Sequence, residues 1–101
     1  MPIRCRVHVW TQAARGSGSH EYVKEMDLVI QPYPGVPLDV RVSDYLIGCH
    51  VDSTPITEGL DTLQVCCQVS RSSRMDYEQI DRLFANDPHW QKVETLLAVP
   101  A

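Results

Sequence analysis

The fold is indicated first by residues 3–11, which read IRCRVHVWT. Apolar side chains alternate there with basic or aromatic ones, and a period of two is typical of a β-strand with one buried face. We therefore expect a strand with one face in the core and one in solvent. The predicted core face carries Ile3, Cys5, Val7 and Val9, and the other face carries Arg4, Arg6, His8 and Trp10.

A second alternating stretch, residues 22–31, predicts a hairpin with the first strand. The intervening residues 16–19 read GSGS, which is typical of a flexible hairpin loop. A register that sets apolar against apolar and basic against acidic side chains stabilises a hairpin by roughly 0.2–1 kcal/mol per pair. The pairs predicted in this way are Ile3 with Ile30, Cys5 with Leu28, Val7 with Met26, Arg6 with Asp27 and His8 with Glu25.

Three shorter alternating stretches follow a proline-rich corner at residues 32–37. They cover residues 38–42, 47–51 and 63–69, with a turn or a β-bulge predicted at Ser43-Asp44 between the first two. The last two stretches predict a second hairpin. Its pairs are Val51 with Leu63, Cys49 with Val65 and Ile47 with Cys67.

After residue 70 the apolar period becomes helical. Asp76 followed by Gln79 has the form of a capping box, and it begins a predicted helix over residues 77–84. Asp87 and Pro88 predict the start of a second helix that extends to residue 97. The expected fold class is α+β in one domain, residues 1–101: an antiparallel meander of four to five strands over about 3–70, with a small barrel as a variant, then a helical pair over about 76–97.

The charge balance limits the partners of the chain. It has 101 residues, with 9 Lys plus Arg against 13 Asp plus Glu, and a formal net charge of −4. A net acidic surface disfavours adhesion to nucleic acid or to anionic membranes. No apolar stretch approaches the roughly 20 residues of a membrane helix, and no leader pattern stands at Met1. We therefore expect a cytoplasmic protein without a membrane partner.

The four cysteines, Cys5, Cys49, Cys66 and Cys67, predict reduced thiols. Neighbouring strand residues point to opposite faces, so Cys66 and Cys67 cannot serve one compact site. Buried thiols are usual in proteins of a reducing compartment. Only Cys66 is expected to face away from the core.

No catalytic constellation is present in the sequence, so we expect a chain that is not an enzyme and needs no cofactor. The glycine-rich loop lacks the helix and lysine of a phosphate-binding loop, and no nucleophile elbow occurs. The leading functional hypothesis is a small protein–protein interaction module, either a self-associating homodimer or an acidic inhibitor of a larger partner. Strand 38–42 is expected at a sheet edge that invites a partner. The predicted contact residues on loops are Tyr33, Asp52, Glu58 and Asp61.

Two alternatives use the polar face of the first strand. Basic and aromatic groups that alternate on a sheet are typical of platforms for single-stranded nucleic acid. That stripe would comprise Arg4, Arg6, His8, Trp10 and Arg15. The second alternative is a zinc site assembled across strands from His8, His50 and Cys66, although no local metal-ligand spacing occurs and no metal is expected.

Overall fold

The computed structural model describes residues 2–12, 19–56, 58–59, 61–70 and 75–93. In these residues six strands form one mixed sheet, and one helix packs against its inner face. The strand order across the sheet is β3-β4-β5-β1-β2-β6. The elements are β1 (Ile3–Gln12), β2 (Ser19–Leu28), β3 (Pro37–Val42), β4 (Tyr45–Ser53), β5 (Leu63–Val69), α1 (Tyr77–Asn86) and β6 (Gln91–Val93).

The interior position of β1 overturns the predicted meander. β1 pairs with β2 in antiparallel orientation and with β5 in parallel, so that Val7 lies opposite Val65. The sheet is mixed and does not close into a barrel, because β3 and β6 remain its two ends. Alternation along a strand fixes the face that is buried, but it does not specify the neighbouring strand.

Both predicted hairpins form, each in a shifted register. Ile3 lies opposite Leu28 instead of Ile30, and Val51 lies opposite Cys67 instead of Leu63. Arg6 consequently faces Glu25. Both shifts are even numbers of residues, so each side chain keeps its predicted face.

The second predicted helix is wrong in the residues that can be described. Residues 87–90 form a turn, and β6 pairs with β2 where the helix was expected. Residues 94–97 of that prediction lie outside the described residues. The first helix and its capping box are confirmed: Gln79 N–H donates to the Asp76 carboxylate at 2.8 Å, and Asp76 N–H donates to the Gln79 side chain at 3.0 Å.

The core lies between the inner sheet face and α1. Tyr22 stacks on Phe84 with ring centroids 5.1 Å apart, and Phe84 meets Trp90 edge-to-face at 4.9 Å. Such aromatic pairs add about 0.5–1.5 kcal/mol beyond their buried area. The other buried apolar residues of this cluster are Cys5, Val7, Val9, Val40, Val42, Ile47, Cys49, Val51, Val65, Cys67, Val69 and Ile80.

A half-buried carboxylate, that of Asp81, connects α1 to the β1–β2 hairpin. Asp81 Oδ1 accepts hydrogen bonds from Thr11 Oγ1 at 2.7 Å and from the Tyr22 hydroxyl at 3.1 Å, and it lies 2.9 Å from His20 Nδ1. Burial opposes ionisation of Asp81, yet the bonds from Thr11 and His20 hold its pKa below the usual value. The helix is therefore positioned by polar contacts as well as by apolar packing.

The proline-rich corner contains a tight turn at residues 33–36. Val36 N–H donates to the Tyr33 carbonyl at 3.2 Å, and Gly35 adopts φ +91°. A type II turn favours proline at its second position and requires a positive φ, usually that of glycine, at its third. Pro34 and Gly35 occupy these two positions. This turn directs the chain from β2 into β3.

Candidate functional site

A gap lies between β2 residues 24–28 and β3 residues 37–41, and we call this gap the seam. Lys24 and Arg41 line one cleft at one end of it, and Leu28 and Leu38 line one groove at the other end. The two strands therefore run in opposite directions across the seam. Among the described residues, no strand pairs with the sides of these two stretches that face the seam. β2 is paired with β1 on its other side and β3 with β4, and β6 reaches only Glu21 to Val23 of β2.

An apolar groove occupies one end of the seam. Its volume is about 160 Å³. Val29 and Ile30 stand on its wall with 81% and 71% of their surfaces exposed. Together with the groove, these two side chains form a continuous apolar area at this end of the seam. The remaining lining residues are Leu28, Gln31, Pro32, Val36, Pro37, Leu38 and Val51.

A second depression, the polar cleft, lies at the other end of the seam and has a volume of about 340 Å³. Two basic residues, Lys24 and Arg41, and two acidic residues, Asp44 and Asp87, line it. Lys24 Nζ is 5.6 Å from the centre of the Trp90 ring, within the range of a cation–π interaction. The other lining residues are Ser43, Pro88 and His89.

The turn at residues 87–90 lines the polar cleft and contacts both sides of the seam. Asp87 Oδ2 accepts from Ser43 N–H at 2.6 Å, and Oδ1 accepts from His89 N–H at 2.8 Å. Trp90 Nε1–H donates to the Arg41 carbonyl at 3.0 Å. Burial disfavours the ionised form of Asp87, but the bonds from Ser43 and His89 hold its pKa below the usual value. Its charge is thus satisfied by these donors.

The edge of β3 is only partly available to another strand. The hairpin joins Val42 to Tyr45, so the even-numbered residues of β3 bond to β4 and the odd-numbered ones face the seam. Pro37 has no N–H, and the Arg41 carbonyl is taken by Trp90. Asp39 is therefore the position of β3 that presents both backbone groups to the seam. The expected edge is present, but it is shortened at both ends.

The predicted contact residues lie in different places. Tyr33 begins the turn beside the apolar groove and is 59% exposed. Asp52 lies in β4 directly after the groove residue Val51, and Glu58 and Asp61 lie between β4 and β5. All three acids are exposed, and the structure shows no contact among them.

The basic stripe of β1 lies on the outer face as predicted, and acidic side chains lie against two of its members, Arg4 and His8. Arg4 forms ion pairs of 3.3 and 3.4 Å with Glu25 and Asp27. The imidazole of His8 lies 2.6 Å from the Glu21 carboxylate and 2.8 Å from Gln64 Oε1, and it stacks on Trp10. These acids oppose the attraction to phosphates that a nucleic-acid platform requires. Arg15 lies outside the described residues.

The three residues of the zinc hypothesis are not brought together into a metal site. His8, His50 and Cys66 share the outer face, but no group of three His, Cys, Asp or Glu among the described residues is placed to hold a metal ion. Both ring nitrogens of His8 have other partners, and His50 Nδ1 lies 3.1 Å from Ser70 Oγ. The arrangement is that of hydrogen-bonded surface histidines.

The cysteine predictions are confirmed. All four are free thiols, and Cys5, Cys49 and Cys67 are buried while Cys66 is half-buried. Burial raises the pKa of Cys49 and of Cys67 to about 12. Burial also raises the pKa of Cys66. The thiolate needed for nucleophilic chemistry is therefore disfavoured at each of these sites.

The polar cleft was not predicted from the sequence, although one signal pointed to it. Lys24 lies opposite the fully buried Val7, so it is in phase with the apolar face of β2. A lysine at a position where an apolar residue is expected has two explanations. Its ammonium group belongs to a local polar site, or its methylene chain packs along the apolar surface while the ammonium stays in solvent. The approach of Arg41 and His89 depends on tertiary structure and has no local sequence signal.

Comparisons with protein-family models, with curated proteins and with solved structures found no match to this chain. Among the described residues, no helix is long and apolar enough to cross a membrane.

Proposed function

We propose that the protein is a non-catalytic interaction module that holds an aliphatic side chain of a protein partner in the apolar groove. The observation that carries this proposal is the groove itself, with Val29 and Ile30 exposed on its wall. Burying such side chains against a partner contributes about 1.5–3 kcal/mol each. Tyr33, beside the groove, adds an aromatic group of the kind enriched at interfaces.

The volume of the groove supports a protein partner over a small molecule. Pockets for drug-sized ligands usually measure about 300–1,000 Å³ and contain several convergent polar groups. The groove measures about 160 Å³ and is lined almost wholly by apolar side chains. That space suits one or two aliphatic side chains of a protein segment.

A partner of different sequence is favoured over a homodimer with a continuous sheet. Pairing of β3 with β3 of a second copy would need free backbone groups along the strand. Pro37 and the bond from Trp90 to the Arg41 carbonyl leave only the centre of the strand open. The cytoplasm is the proposed location, supported by the four free thiols.

Site-specific photo-crosslinking tests this function. A photoreactive phenylalanine analogue at Ile30 should capture a discrete protein, and the same analogue at Ile56 provides a matched control. Ile56 is 96% exposed but does not line the groove. Capture should be lost when Val29→Asp is added and should persist with Ile56→Asp. Equal capture from both sites, or none from Ile30, would contradict the proposal.

Light scattering of the pure protein separates the two kinds of partner. We expect a monomer at micromolar concentration. A dimer that dissociates in the Ile30→Asp variant would show that the groove binds a second copy, and the proposal of a different partner would then be wrong.

A further inference from the structure

One side of β2 is an unpaired strand edge over residues 24–28. β1 pairs with the other side of β2, and β6 pairs only with Glu21 to Val23, so no strand of the described residues bonds to this edge. The stretch reads KEMDL and contains no proline, so each of its residues has a backbone N–H. Successive residues of a strand direct their backbone groups to opposite sides, and about two or three of these residues therefore present both groups to the seam. Such an edge is a template for another strand.

β3, on the other side of the seam, offers less of its backbone to an entering chain. Asp39 is the position that presents both groups, since Pro37 has no N–H and Trp90 binds the Arg41 carbonyl. A strand that enters the seam therefore pairs with β2. It must be a single segment without strands beside it, because β2 and β3 flank it. This disfavours the sheet edge of a second copy, which carries its neighbouring strands with it.

The side chains that border the seam define the pattern of the entering segment. Met26 and Leu28 lie on the inner face of β2 and Leu38 lies on the inner face of β3, and all three are only half-buried against the core. Asp27 and Asp39 lie on the outer face and are exposed. Because side chains of a strand alternate between faces, the segment needs apolar residues that point inward and polar residues that point outward.

We propose that the protein partner enters the seam as an extended segment and adds a strand of about five residues to the free edge of β2. This inference rests on the proposed function, because one inward side chain of the segment is the aliphatic side chain that the groove holds. The added strand spans about 17 Å at roughly 3.3 Å per residue. Its backbone bonds to β2 provide affinity that does not depend on sequence, and the alternation of apolar and polar side chains provides selectivity.

Peptide selection tests the added strand on the full chain. The probe is an unbiased phage-displayed library of octapeptides, selected on the wild-type protein and depleted on the Ile30→Asp variant. We expect the selected peptides to alternate apolar and polar residues, to lack proline at their centre and to bind Ile56→Asp as they bind wild type. In nitrogen-15-labelled protein they should slow amide exchange at alternate residues within 24–28 and leave exchange in β6 unchanged.

Methylation of the peptide backbone separates strand pairing from side-chain docking. Methyl groups on the amides of one edge of the peptide remove the N–H donors to β2, and binding should weaken about tenfold or more because several bonds are lost. The same number of methyl groups on the other edge keeps these donors and every side chain. Binding should then weaken much less, since β3 offers only Asp39 to that edge.

The outcomes distinguish this inference from the proposed function. Equal effects of the two methylation patterns, with amide shifts confined to the groove, would overturn strand addition and leave the proposed function intact. Protection of residues 24–28 that increases with protein concentration in the absence of peptide would assign the added strand to a second copy and overturn the inference.

The complex captured at Ile30 provides a second measurement if the library yields no peptide. Amides of residues 24–28 that exchange as fast in that complex as in the free protein would overturn strand addition alone. If the library yields no peptide and crosslinking at Ile30 also fails, both proposals are wrong.

Discussion

At the scale of single residues, Asp87 holds together parts of the chain that are distant in sequence. It joins the β3–β4 turn to the turn before β6, and it accepts the N–H of Ser43, which adopts φ +54°. Positive φ is uncommon for a residue other than glycine and is maintained by surrounding contacts. The carboxylate thus stabilises both a strained turn and one end of the seam.

We expect Asp87→Asn to lower the free energy of unfolding by about 1–3 kcal/mol at pH 7, the usual cost of losing charge-assisted bonds to a buried group. The pKa of Asp87 is lowered in the folded state, because its bonds from Ser43 and His89 outweigh burial. The stabilisation is therefore complete above the unfolded pKa of about 3.9 and is lost as the pH falls through the folded value. Urea unfolding should show a large difference from wild type at pH 7, and this difference should shrink as the pH is lowered below the unfolded pKa. Asp44→Asn, an exposed neighbour, should change little over the same pH range, and an equally stable Asp87→Asn protein at pH 7 would refute this role.

Thiol reactivity provides a second residue-scale prediction. One thiol, Cys66, should react with an aromatic disulfide reagent in the native protein, and three more should react only after unfolding, because Cys5, Cys49 and Cys67 are buried. The native reaction should be slow at pH 7, since burial raises the pKa of Cys66. Cys66→Ser should abolish it. Two or more reactive thiols in the folded protein would contradict the packing described above.

At the scale of elements, the position of a helix or strand in the sequence was easier to predict than the strand it pairs with. The strand at Leu63–Val69 and the capping box at Asp76 and Gln79 follow from patterns within a few residues. The prediction of a second helix was wrong because an aspartate at position 87 is compatible with a helix start and also with a turn. An aspartate can cap a helix, or it can accept the N–H two residues ahead in a turn, and here it accepts from His89. The face of each strand was predictable, whereas register and neighbour were not, since apolar side chains meet apolar ones in several alignments.

Trp90, in the turn before β6, covers part of the edge of β3 through its bond to the Arg41 carbonyl. We expect Trp90→Phe to keep the edge-to-face contact with Phe84 and to lose the bond to the Arg41 carbonyl. The loss should cost about 0.5–1.5 kcal/mol and speed amide exchange in β3. Trp10→Phe on the outer face is the matched control and should leave β3 exchange unchanged. If both variants exchange alike in β3, Trp90 does not protect that edge.

At the scale of the whole molecule, β1 organises the sheet. It is bonded on both sides over most of its length, to β2 through a local hairpin and to β5 across more than fifty residues of sequence. β6, by contrast, has three paired residues at an edge. Stability should therefore be distributed unevenly, with the centre of the sheet opening only when the whole chain unfolds.

Val7→Ala tests this hierarchy, because Val7 is fully buried between β2 and β5. The substitution removes the equivalent of two methylene groups and leaves a cavity, which should lower the free energy of unfolding by about 2–3 kcal/mol. If the slowest amides of β1, β2 and β5 exchange only when the whole chain unfolds, the opening free energy derived from their exchange rates should fall by that same amount. Exchange in β6, which opens locally, should be unchanged, and Ile56→Ala at an exposed position should affect neither group. A loss of protection confined to β1 would show that the strand opens independently of its neighbours, and the sheet would then lack the cooperative centre that its strand order implies.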